Sequence, residues 1–101
     1  MLALTFLLIP LQAATAADEE IERGRAMAER LCAVCHMNPG QGEKAAASGV
    51  PSFKAVANRP AQTFEGVQAW LQSVPSMMPN YHLTRDEIHV LATFIMSLRG
   101  Q

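Results

Sequence analysis

Cys32-Ala33-Val34-Cys35-His36 constrains this chain more than any other stretch of it. Two thiols three positions apart are followed directly by an imidazole. The sulfurs match the two vinyl groups of one porphyrin, to which they bond as thioethers. The adjacent ring then faces the iron from one side. The spacing C-x-x-C-H is the attachment signature of a c-type haem. A lone C-x-x-C has two other uses, as a thiol–disulfide redox pair or as half of a zinc site. A four-ligand zinc site here needs Cys32, Cys35, His36 and a distant His82 or His89, with two ligands adjacent in the chain. A redox dithiol belongs near a βαβ pattern, and the sequence shows none. Covalent haem is the reading these five residues favour.

The N-terminal residues read as an export signal. Leu2 to Leu11 is almost wholly apolar, Gln12-Ala13-Ala14-Thr15-Ala16-Ala17 is small, and Asp18-Glu19-Glu20 is acidic. That is an apolar core, an A-x-A cleavage site and a polar mature start. Cleavage fits after Ala16 and nearly as well after Ala17, although no Lys or Arg precedes the apolar run. Residues 1–17 are thus expected to be a signal peptide and residues 18–101 a single domain in the periplasm. Left uncleaved, the segment would anchor the chain to a membrane, but it is shorter than the roughly 20 residues of a spanning helix.

A domain of this size makes a marginal core from its own side chains. A porphyrin adds a large apolar plate, so the chain without haem is expected to be largely unfolded. All 8 Lys and Arg and all 9 Asp and Glu lie after residue 17, for a formal charge of −1. That balance offers no basic surplus for nucleic acid and no polybasic patch for lipid headgroups.

Three helices separated by Pro- and Gly-rich loops are predicted. The first runs from about Asp18 to Cys32, with acidic residues in its first turns, where they complement the helix dipole. Ile21, Gly24, Ala28, Leu31 and Cys32 recur there at helical spacing. Gly24 costs about 1 kcal/mol against alanine in mid-helix, which points to another helix passing close over it. Met37 to Pro51 is a loop, and Ser52 to Asn58 forms a short helical turn. Thr63 is placed to cap a helix from Phe64 to Ser73, with Phe64, Val67, Leu71 and Trp70 on its apolar side. Thr84-Arg85-Asp86-Glu87 is a capping box for the last helix. Its buried stripe is Ile88, Leu91, Ala92, Ile95 and Leu98, and Gly100 marks its stop.

The order of these features resembles the class I cytochromes c, in particular small periplasmic cytochromes of proteobacteria. It comprises a helix with a glycine, C-x-x-C-H, Gly49-Val50-Pro51-Ser52-Phe53-Lys54, Met78-Pro79 and a capped terminal helix. The resemblance covers the whole of residues 18–101. It implies an all-α fold: three main helices plus loops wrapped around one covalent haem, the first and last helices crossing. Gly24 and Phe94 would take the crossing, flanked by Leu91 and Ile95.

The resemblance also implies the second iron ligand, a methionine followed by proline, matched by Met78. A thioether is a soft, neutral ligand, and His/Met ligation raises the potential. Met77 is the neighbouring alternative, and core filling is the ordinary role of a methionine. His82 offers bis-histidine ligation or simply faces solvent, and His89 reads as a surface histidine. Pro51 matches the family's proline whose carbonyl accepts the Nδ1–H of the iron-ligating histidine, here His36. Trp70 donates to a haem propionate or fills the core. Arg59 pairs with a propionate or is a solvated loop residue. Asn80 is placed to steady Met78.

These residues imply a monohaem electron carrier rather than an enzyme, because His36 and Met78 together fill both axial positions. Its expected partners are larger redox proteins, with no nucleic acid and no stable membrane insertion once the signal is removed; it is expected to be a monomer. Three alternatives use the same residues: a haem subunit of a dehydrogenase or oxidase, a five-coordinate gas-binding or peroxidatic haem protein, and a thiol–disulfide oxidoreductase. The exposed haem edge would be framed by Met37, Pro39, Val50, Val74 and Met77, with Lys44 and Lys54 the chain's two lysines.

Overall fold

The computed structural model describes residues 2–5, 15–33, 36, 50–74 and 78–101. Among these, the regular structure is helical throughout: α1 (Ala16–Leu31), α2 (Phe53–Ala57), α3 (Phe64–Ser73) and α4 (Arg85–Ser97). The three expected helices are present, and the short turn after Pro51 is a helix of its own.

Side-chain caps set the starts of α1, α3 and α4. Thr84 accepts from Glu87 N at 3.2 Å, and Glu87 accepts from Thr84 N at 2.8 Å, closing the capping box of α4. Thr63 accepts from Gly66 N at 2.9 Å and caps α3. α1 starts earlier than its acidic turns suggest, because Thr15 and Asp18 form a second capping box at 3.1 and 3.3 Å. The candidate cleavage points therefore lie within the first turn of α1. Upstream, residues 2–5 have no regular structure. Leu2 and Leu4 are 99% and 83% exposed, so they add nothing to the core.

α4 is the hub of the packing. Ile88, Val90, Leu91, Ala92, Phe94, Ile95 and Leu98 are all buried, and the helix touches α1 most extensively, then α3 and α2. Its crossing with α1 is centred on Gly24. A Cβ at that position would stand 2.7 Å from Phe94 Cβ and would overlap the Val90 carbonyl oxygen. The backbones meet where a side chain is missing, which offsets the propensity cost of a mid-helix glycine. Arg25 lies over the Phe94 ring, 5.1 Å from its centroid. Arg23 pairs with Asp86 along the same seam.

Two residues depart from expectation. α3 packs through Phe64, Val67 and Leu71, at helical spacing. Trp70 falls beside that stripe and is 54% exposed, so it does not fill the core. His89 is not an ordinary surface histidine. It is half-buried, its Nε2 is 3.1 Å from Glu20 Oε2, and its ring meets Phe64 edge-on at 5.3 Å.

Candidate functional site

The C-x-x-C-H motif begins where α1 ends. Cys32 is the C-cap of the helix and is half-buried against the core. Its carbonyl accepts from His36 N at 2.8 Å. Val34 and Cys35 lie outside the described residues. His36 is half-buried.

Two contacts fix the His36 ring. Its Nδ1 is 2.7 Å from the Pro51 carbonyl oxygen. A carbonyl only accepts, so Nδ1 carries the proton and the Nε2 lone pair remains available. The ring stacks on Phe53 at 5.3 Å with 25° between planes, and Phe53 meets Phe94 edge-on at 5.8 Å. Pro51, Ser52 and Phe53 are consecutive. Ser52 is buried and caps α2 by accepting from Ala55 N at 3.0 Å. The far end of α2 is held as well. Arg99 donates to the Ala57 and Arg59 carbonyls at 2.8 and 3.1 Å, and Gly100 N donates to Asn58 Oδ1 at 2.8 Å.

Met78 is half-buried, and Pro79 and Asn80 after it are exposed. Met77 lies outside the described residues. Asn80 directs its side-chain oxygen at the N–H of His82, 2.9 Å away. This supports the left-handed backbone of exposed His82, whose φ is 52°. Tyr81 donates its hydroxyl to the carbonyl of Leu31, at the end of α1, at 2.9 Å. Arg59 and Trp70 are exposed, and nothing in the described structure joins either of them to His36 or Met78.

The described residues include the imidazole of His36, the thioether of Met78 and the thiol of Cys32, side-chain types that suit a c-type haem. Partly exposed apolar side chains rest on the core, among them Met27, Val56, Phe64, Leu71, Leu83 and Met96. Among the described residues, no three His, Cys, Asp or Glu side chains converge on a metal-ion site. No strand occurs among them either, so the βαβ setting of a redox dithiol is not seen there.

The cytochrome c family profile matches residues 21–99, from the first turns of α1 to just beyond α4. The chain belongs to the cytochrome c family. It is similar to cytochrome c-552 of Bradyrhizobium diazoefficiens, with 38% identity over 76 residues, covering 75% of this chain and 72% of that protein. No solved structure matches the chain. Within the family it is a class I cytochrome c, carrying a covalently bound haem c with iron and working in electron transport. Of the two motif cysteines, Cys32 lies within the described residues.

Several of these contacts left no trace in the sequence. The Tyr81 hydroxyl, the Arg99 clasp on α2 and the Glu20–His89 pair each join distant residues. The Thr15 cap had a visible signal, T-x-x-D, overlain by the small residues of a cleavage site.

Proposed function

We propose that this cytochrome is an exported periplasmic carrier of single electrons, held by Cys32 and Cys35 and ligated by His36 and Met78. The observation that carries the reading is the contact between His36 Nδ1 and the Pro51 carbonyl at 2.7 Å. It fixes the tautomer and orients the ring. Haem iron supplies a reversible one-electron couple. The chain's own work is to orient the ligands, exclude water and set the potential. Phe53 and the buried start of α2 keep the histidine ring from turning. Met78 supplies a soft sulfur that favours the reduced metal. With both axial positions taken, no coordination position remains for a substrate, which favours a carrier over an enzyme. Trp70 and Arg59, both exposed, are available to the propionates at the rim.

Export rests on the apolar leader and on Leu2 and Leu4, which stand outside the core. The partners are larger redox proteins, and the carrier is monomeric. In the holoprotein, Met78→Ala is expected to abolish the sulfur-to-iron charge-transfer band of the oxidised form and to lower the potential. Met77→Ala is expected to change both only slightly. The reverse pattern would move the ligand to Met77, and an unchanged band in both variants would remove methionine ligation.

A further inference from the structure

We propose that Tyr81 is a positioning residue for the Met78 segment, and that its hydroxyl sets how readily Met78 yields to another ligand. This rests on the reading of Met78 as an iron ligand. The tyrosine donates to the carbonyl of Leu31 at 2.9 Å, across 50 residues of sequence. Leu31 is the last residue of α1, and a helix leaves its final carbonyls without intrahelical donors. On either side, Ala28 O accepts from Cys32 N and Ala33 N, and Cys32 O accepts from His36 N. The Leu31 carbonyl sits directly before the attachment motif, and Tyr81 donates to it.

The same bond ties down the segment that carries the thioether. Pro79 restricts the backbone after Met78. The Asn80 side chain holds the turn at His82, Leu83 rests on the core, and Thr84 caps α4. From Tyr81 onward the chain is pinned to both α1 and α4, three residues from Met78. The ring is 44% exposed, so the hydroxyl, more than ring burial, makes the tie.

A ligand that replaces methionine binds only when the segment opens. Its apparent affinity therefore scales with the open fraction. Loss of one neutral hydrogen bond should raise that fraction about two- to tenfold.

The experiment is an imidazole titration of the oxidised holoprotein, read by the charge-transfer band. Tyr81→Phe should keep the band without imidazole and should bind imidazole about two- to tenfold more tightly than the parent. Thr63→Ala, at the far end of α3, serves as the stability control. It should lower the melting temperature and leave imidazole affinity unchanged. If Tyr81→Phe binds imidazole as the parent does, the proposal is wrong and Met78 ligation stands. An equal rise in affinity in Thr63→Ala would also overturn it, because general loosening would then explain the effect. A charge-transfer band that survives Met78→Ala removes the underlying ligation, and the proposal with it.

Discussion

At the scale of single residues, the histidine is held by more than one bond. A hydrogen bond fixes which nitrogen carries the proton, and a stacked ring fixes the plane. Phe53 provides the plane and passes it to Phe94, which sits against Gly24. One aromatic side chain therefore links His36 to the helix crossing. Aromatic pairs contribute about 0.5–1.5 kcal/mol beyond their buried area. Phe53→Leu, which keeps most of the volume, is expected to lower holoprotein stability by about 1–2 kcal/mol. Denaturant unfolding checks this, through a lower midpoint at unchanged slope. A midpoint equal to the parent's would mean that the stack adds nothing.

At the scale of elements, the α1–α4 crossing tolerates no side chain at position 24. Gly24→Ala would improve helix propensity by about 1 kcal/mol, were α1 isolated. In the protein, the new methyl meets backbone on α4, which cannot swing aside as a flexible side chain would. Overpacking of this kind costs about 1–3 kcal/mol, occasionally more. We expect Gly24→Ala to destabilise the holoprotein and Gly24→Val to do so more severely, measured by thermal melting. A stabilised Gly24→Ala protein would show that the helices can separate without loss. The helices were legible in the sequence because their signals are local: T-x-x-E before α4, Thr63 before α3, and apolar residues at helical spacing. The start of α1 was not, because Thr15-Ala16-Ala17-Asp18 serves equally as a cap and as a cleavage site. The attachment motif was legible for the same reason of locality, five residues in a row. The contacts Tyr81 to Leu31, Arg99 to Ala57 and His89 to Glu20 span 50, 42 and 69 residues. No periodicity encodes them. Trp70 was ambiguous because one step around α3 separates its buried stripe from solvent.

At the scale of the whole molecule, the distribution of charge governs how partners meet. The chain has two lysines, so it cannot ring a haem edge with lysine. Val50 and Val74, half-buried, belong to the mainly apolar frame proposed for that edge. Electrostatic steering is strongly salt-dependent, because about 0.1 M salt shortens its reach to roughly 10 Å. Docking here is expected to be transient, apolar and at the small end of interface sizes. The bimolecular electron-transfer rate with the physiological partner should vary little across a salt series. A fall of about tenfold or more between roughly 10 mM and 200 mM salt would show that charge does the steering.

The glycine contact also dictates an order of events in time. Arg23 and Asp86, beside the crossing, are 63 residues apart. A chain is synthesised at about 5–20 residues per second, so α1 waits roughly 3–12 seconds for its partner. Throughout that interval the attachment cysteines, directly after α1, have no closed core over them. The crossing therefore cannot close until α4 is available, and the motif after α1 precedes that closure in the chain.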